Sequence, residues 1–199
     1  MGIDLKYPVG ATPLDPDDAA ALIPGHLTTR EQLNEWEALN ILEGEEWVFS
    51  RRHDKILSIV FMQTLHKRMF GGTWQWAGRI RPKETHPVGI APENIEIGLK
   101  ELCQDVEAQI QYKSWPIDEI AARFHHRLVY IHPFTNGNGR FSRTMADLLL
   151  AQNGATKFAW GAGDLVSDGE LREQYIAALR AADKKDYSLL LAFVRSAAK

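Results

Sequence analysis

The residues with the most chemistry in this chain form one unbroken run, His132-Pro133-Phe134-Thr135-Asn136-Gly137-Asn138-Gly139-Arg140-Phe141-Ser142-Arg143. An imidazole is the side chain best able to take a proton near neutral pH. The two glycines behind it let backbone N–H groups turn inward and come close to an anion. A helix starting there adds its own free N–H groups and the positive end of its dipole. Arg140 and Arg143, three residues apart, share one side of such a helix and can hold more than one phosphate. The run therefore predicts a cradle for a di- or triphosphate with His132 at its lip, where it can deprotonate an incoming hydroxyl. That is phosphoryl or nucleotidyl transfer, in which positioning and charge neutralisation dominate. The Asn-Gly-Asn-Gly piece alone would be ordinary loop chemistry, and His132 alone a helix-end residue. The order of all twelve carries the reading.

The elements around this run must place it. Helical pattern covers Ile117 to Ile131, Pro133 cannot extend it, and a further helix is expected from Gly139 to Asn153 with Gly154 beyond its end. Upstream, Thr29 and Gln32 match a capping box. They open a helix reaching to about Arg51, with Leu33, Trp36, Asn40, Ile41 and Trp47 roughly on one face. Asp54 is expected to cap a second helix through Met69, striped by Ile56, Ile59, Val60, Met62 and Leu65 and ended at Gly71-Gly72. From Arg79 to Pro92 the prolines and Gly89, with Val88 and Ile90 alternating around that glycine, predict a short β-hairpin or extended flap. Helices follow over Glu93–Tyr112, Gly169–Ala182 and Tyr187–Ala197. The fold class expected is all-α, a helical bundle with one small β-hairpin flap. Residues 1–28 form an N-terminal arm rich in proline and aspartate, and 29–199 form one domain.

Composition narrows the class of function. Across 199 residues, 45% hydrophobic and 25% charged, the chain has the make-up of a globular domain. Its net charge of -3 gives no basic footprint, so direct nucleic-acid binding is not expected. Cys103 is the one cysteine, which rules out an intrachain disulfide and fits a reduced, cytoplasmic setting. No long apolar run predicts a membrane span or signal peptide, and Lys6 departs from the myristoylation motif opened by Met1-Gly2.

The twelve-residue run closely resembles the signature of the Fic family, His-x-Phe-x-(Asp/Glu)-Gly-Asn-Gly-Arg-x-x-Arg. The likeness extends over roughly residues 30 to 195. Trp74-Gln75-Trp76-Ala77-Gly78-Arg79-Ile80-Arg81 is similar to the segment before the target-binding flap in that family, and Arg172 to Asp186 to its late helix. More narrowly, the chain resembles the bacterial group called mobile mystery protein B, whose members pair with a helix-turn-helix partner. The resemblance implies a Fic-type fold with a signature loop at 132–143 and a flap at about 82–92. The implied activity is protein adenylylation, moving AMP from ATP onto a Ser, Thr or Tyr hydroxyl of a target protein. His132 would be the catalytic base, Phe134 an anchor, and Gly137, Asn138 and Gly139 the anion hole. Arg140 and Arg143 would contact the β- and γ-phosphates. The flap residues Thr85, His86, Val88, Gly89 and Ile90 would pair with an extended target segment. The cofactors implied are ATP as substrate and Mg²⁺. A helix-turn-helix, antitoxin-like partner would make the chain one half of a toxin–antitoxin pair.

Asn136 departs from the signature, because the family holds Mg²⁺ there with Asp or Glu. An amide can ligate Mg²⁺ but brings no charge. Three readings stay open: phosphates and water hold the metal with Asn136 assisting, the donor is another nucleotide or phosphoryl compound, or the chain is a weak or inactive nucleotide- or partner-binding protein. The family's inhibitory helix carries (Ser/Thr)-x-x-x-Glu-(Gly/Asn), and the first helix, about 29–51, contains Leu39-Asn40-Ile41-Leu42-Glu43-Gly44. Glu43 is therefore the candidate brake on the second signature arginine, against a plain reading as a solvated helix glutamate beside Glu45 and Glu46. The remaining histidines, His66, His125 and His126 among them, lack the partner spacing of a zinc site and are expected to shape helices or core. Tyr175 and Asp183 fall where the family keeps its adenine pocket.

Overall fold

The computed structural model describes residues 19–27, 29–84, 88–163, 165 and 169–196. Its helices are α1 (Arg30–Phe49), α2 (Ile59–Phe70), α3 (Ile95–Gln111), α4 (Ile117–Ile131), α5 (Asn138–Gln152), α6 (Glu170–Asp183) and α7 (Ser188–Arg195), with 3-10 turns at Pro92–Asn94 and Trp160–Ala162.

Local chemistry sets where these helices start. The capping box opens α1: Thr29 Oγ1 accepts from the Gln32 N–H, and Gln32 Oε1 accepts from the Thr29 N–H, both at 3.2 Å. The α2 start differs from expectation. Ser58, not Asp54, is the cap, its hydroxyl accepting from the Phe61 N–H at 3.2 Å. Lys55 in the left-handed region, φ 53°, keeps the residues before it out of the helix. The apolar stripe consequently begins at Met62 and runs through Leu65, Met69 and Phe70, while Val60 is 73% exposed.

The central pair is α4 against α5, joined by the twelve-residue run. Phe124, Leu128 and Ile131 from α4 meet Phe141, Met145 and Leu149 from α5 in a fully buried core. Helices α1 and α2 pack on each other and both reach α5; α3 and α7 flank α4, and α6 packs on α7. Arg195 of α7 holds the start of α4 through a double hydrogen bond to Asp118 at 2.5 and 2.7 Å.

α1 and α2 approach closely at Gly44. A Cβ there would lie 2.9 Å from Met69 Cα and 2.8 Å from Met69 Cγ. Asn40, one turn earlier, accepts the Gly72 N–H at 2.8 Å and so ties α1 to the turn that ends α2.

The expected β-hairpin is corrected: among the described residues there is no strand, only isolated bridges at Leu22–Trp74 and Ile80–Phe134. The limb entering the flap pairs with the signature loop instead of with its own returning limb, as the Arg81 N–H to Pro133 carbonyl bond of 3.0 Å confirms. Thr85, His86 and residue 87 lie outside the described residues, as do residues 1–18 of the expected arm. The end of that arm runs beside residues 73–75, with the Ile23 N–H donating to the Thr73 carbonyl at 2.8 Å. No helix among the described residues is long and apolar enough to cross a membrane.

Candidate active site at the α4–α5 loop

Two left-handed residues shape the loop. His132, at the end of α4, takes φ 54°, ψ 61°, and Gly137, just before α5, takes φ 76°. The imidazole therefore leaves the helix axis rather than following it. At Gly137 the φ favours glycine, and space demands it too, because a Cβ would meet the Phe70 ring at 2.6 Å. Asn138 braces the turn from within. Its amide oxygen accepts the Phe134 N–H at 2.9 Å, and its amide N–H₂ donates to the Phe134 carbonyl at 2.7 Å. The Asn138 side chain is thus a strut of the turn. Phe134 is buried as expected, stacked on His66 at 3.8 Å.

His66 holds the loop from α2. Its Nδ1 accepts the Gly78 N–H at 3.0 Å, which leaves the proton on Nε2 to donate to the Asn136 carbonyl at 3.0 Å. Burial pushes its pKa down to about 3, so the ring is neutral and the tautomer fixed.

Arg81 holds the backbone of His132. Its guanidinium donates to the His132 carbonyl at 2.6 Å, to those of Lys83 and Ile90 at 2.6 and 2.5 Å, and to that of Ile131 at 3.5 Å. The carbonyls left over at the end of α4 are thereby satisfied by one buried cation. His132 Nδ1 lies 3.3 Å from the Val129 carbonyl; donating its N–H there puts the ring's lone pair on Nε2. Burial, with Arg81's charge adding to it, pushes the His132 pKa down to about 4. The ring is neutral at pH 7 and able to accept a proton.

A cavity of about 950 Å³ opens beside the loop and is lined by His132, Asn136, Gly137, Asn138, Gly139, Arg140 and Arg143. Arg127, Arg172, Arg180 and Lys185 add to its wall against the acids Glu37, Asp105 and Asp183, so the cavity is cationic although the chain is net acidic. Arg143 hydrogen-bonds Tyr175, whose hydroxyl lies 2.9 Å from His125 Nε2. Burial lowers the Arg143 pKa from its usual value, with Tyr175 opposing that shift. Tyr175 is therefore a brace for the second arginine. Asp183 faces the cavity with His126, whose Nε2 is 2.9 Å away.

Arg140 is already engaged. Its Nη1 donates to Glu37 Oε2 at 2.8 Å, and Glu37 Oε1 accepts from Trp74 Nε1 at 2.7 Å. Both members of this ion pair are mostly buried, at 21% and 12% exposure. Glu43 does not take that place. It is exposed, accepts a long hydrogen bond of 3.4 Å from Asn40 and does not line the cavity. Six positions at about 100° each put the two side chains about 120° apart around α1. Gly44, which suggested the Glu43 motif, is explained by its contact with Met69. Of the flap residues, Val88 and Gly89 line the cavity and Ile90 bonds its N–H to the Ile131 carbonyl at 3.5 Å.

Asn136 does not serve as a metal ligand in this arrangement. Its amide oxygen accepts the Gly137 N–H at 2.6 Å, and among the described residues no group of three or more His, Cys, Asp or Glu side chains could hold a metal ion. The residues present do not fit a resident Mg²⁺ site.

Sequence reasoning missed Glu37, Arg81 and His66 as site residues. Arg81 and His66 carried a usable signal, a charge and an imidazole at inward-facing positions; Glu37 sat among five other acids of α1.

Comparison with known proteins places these residues in context. Residues 56–150 match the model of the Fic/DOC family. Over 155 residues the chain is 32% identical to the protein adenylyltransferase fic-1 of Caenorhabditis elegans, covering 76% of this chain and 28% of that protein. It is 33% identical over 124 residues to the protein adenylyltransferase Fic of Nematostella vectensis, covering 59% and 29%. The chain thus spans less than a third of these curated relatives. Among solved structures, the fold is similar to BepC of Bartonella tribocorum with bound AMPPNP, with a TM-score of 0.68, 16% identity, and coverage of 91% of this chain and 97% of that one. It is also similar to Fic-1 from C. elegans, with a TM-score of 0.62, 25% identity, and coverage of 89% and 51%.

Proposed function

The chain belongs to the Fic/DOC family, and on that footing we propose that it is a protein adenylyltransferase using ATP and acting on a protein hydroxyl. The observation that carries the proposal is the neutral His132, its lone pair on Nε2, at the edge of a cationic cavity ending in the first turn of α5. The triphosphate lies against the N–H groups after Gly137, with Arg140 and Arg143 beside it. His132 Nε2 takes the proton of the target's Ser, Thr or Tyr hydroxyl. The hydroxyl oxygen bonds to the α-phosphorus as that phosphorus releases its bridging oxygen, and pyrophosphate departs with its charge offset by the two arginines. The adenine faces the end of the cavity near Asp183, and Val88 and Gly89 receive the target's backbone.

Glu37 is the proposed brake in place of Glu43. Its carboxylate occupies the guanidinium of Arg140 that the phosphates need, and binding ATP productively means displacing it. A helix-turn-helix partner belongs to the same reading and is tested by co-purification.

Mass spectrometry after incubation with ATP and candidate targets tests the activity. An added AMP on the target or on the chain itself is expected, lost in His132→Ala while nucleotide binding stays within about threefold of wild type. An added phosphate would mean a kinase reaction, and no adduct even in Glu37→Ala would leave a nucleotide-binding protein without transferase activity.

A further inference from the structure

The misfit between this donor set and a divalent cation carries further. Resting on the nucleotide-binding reading above, we propose that this site binds the nucleotide's polyphosphate as the metal-free anion, with guanidinium groups and helix N–H groups supplying the charge that a Mg²⁺ ion supplies elsewhere.

The argument starts from what Mg²⁺ requires. It demands six oxygen ligands at short range, sheds its water reluctantly, and is usually held by one or two carboxylates together with phosphate oxygens. At the loop position nearest the cradle this chain offers only the Asn136 amide, whose oxygen is already held at 2.6 Å by the Gly137 N–H. Turning it to a metal would break that bond and unpin the residue that sets the left-handed turn. Glu37 is the acidic side chain beside the signature arginines in the cavity wall, and both of its oxygens are taken, by Arg140 and by Trp74. Releasing Glu37 to a metal would in turn leave the Arg140 charge without its partner.

The surroundings favour an anion and disfavour a small cation. Arg140, Arg143 and Arg172 line the wall, and the Arg143 guanidinium is repelled by both of the others. Coulomb repulsion between a dication and several guanidinium groups disfavours the cation, and the carboxylate beside the signature arginines, Glu37, is already spent on Arg140 and Trp74. A tetra-anionic triphosphate in the same place relieves the repulsion among the arginines. The dipole of α5 acts in the same direction, with Gly137 as its N-cap contributing no side chain to satisfy the first-turn N–H groups. In a nucleotide–Mg²⁺ complex, part of the phosphate charge is already neutralised. Such a complex has less to gain from these groups than the free nucleotide has.

Isothermal titration with AMPPNP, in EDTA and in Mg²⁺ in large excess over the nucleotide, tests this on the full chain. Wild type is expected to bind equally or more weakly with Mg²⁺ than in EDTA. Asn136→Asp is expected to reverse the order and bind more than about threefold more tightly with Mg²⁺, because the carboxylate supplies the missing ligand. Asn136→Ala keeps the wild-type order if the amide plays no metal role, and it stands in should the Asp variant fail to fold. The same titrations on Glu37→Ala remove any masking by the brake. Tighter binding by wild type with Mg²⁺, by more than threefold, overturns the proposal. No binding under either condition, in Glu37→Ala as well, overturns the nucleotide reading beneath it; binding with inverted metal dependence leaves that reading standing.

Discussion

Glu37 illustrates how much a single side chain can decide. It reaches Arg140 from a helix more than a hundred residues earlier in the chain and is the carboxylate on the signature arginines. Glu37→Ala frees the guanidinium, and auto- or target adenylylation is expected to rise at least about tenfold, since one such hydrogen-bonded charge pair is commonly worth 1.5–3 kcal/mol. Glu43→Ala is expected to leave labelling unchanged. A radiolabel or mass assay on the two variants side by side distinguishes them, and a rise in the Glu43 variant instead would reinstate the motif reading. The residue chemistry of the loop was legible in the sequence, because a glycine, an imidazole and two arginines act locally. The Asn138 strut and the His66 clasp were not, because each acts on a backbone group whose position only the folded loop defines.

In α1 the pattern explains why Glu43 rather than Glu37 stood out in the sequence. Its inward positions fall at residues 33, 37, 40–41, 44 and 48, and they include a carboxylate, a capping amide and a glycine. A pattern search looks for apolar stripes, and half of these inner positions are not apolar. Gly44 shows the cost of changing it. Alanine favours a helix over glycine by about 1 kcal/mol, yet a Cβ at 44 would sit 2.9 Å from the Met69 backbone. The overpacking outweighs the propensity, and Gly44→Ala is expected to lose about 1–3 kcal/mol in urea unfolding. Helix starts governed by one side chain, as at Thr29, could be read directly. The α2 start could not, because both Asp54 and Ser58 can cap and a left-handed Lys55 settled the matter. The hairpin expectation failed for a tertiary reason: Arg81 binds carbonyls from both limbs and from the loop, which replaces the ladder that alternation suggested.

Across the whole molecule, buried neutral histidines couple the fold to pH. His66 and His125 have pKa values pushed down to about 3 and His132 to about 4, all below the ordinary 6.5. At pH 7 each is neutral whether the chain is folded or unfolded, so none affects stability there. As pH falls below 6.5 the unfolded chain takes up their protons and the folded chain does not. Stability should therefore drop between about pH 6.5 and pH 4, by about 1.4 kcal/mol per pH unit for each histidine. His66→Gln is expected to flatten that slope by one histidine's share in urea melts at pH 7, 6 and 5, and an unchanged slope would mean that His66 is not the buried neutral base described. Transfer activity should lose its base only at lower pH, as His132 titrates near 4. Overall charge was no guide to the site, since a net charge of -3 coexists with a cationic cavity. What decides binding is how charge is distributed, and only folding sets that.

The stretch that matches the family model, 56–150, holds all twelve signature residues and neither of the side chains that hold the arginines in place. Glu37 comes from before it and Tyr175 from after it. A protein trimmed to those limits would keep every signature residue. It would also bare the α2 face that Gly44 covers, detach Arg140 from its carboxylate and leave Arg143 without its phenol. An excised piece therefore has to begin upstream of residue 29 and run through α7, or it will report on a ruptured interior rather than on the intact fold.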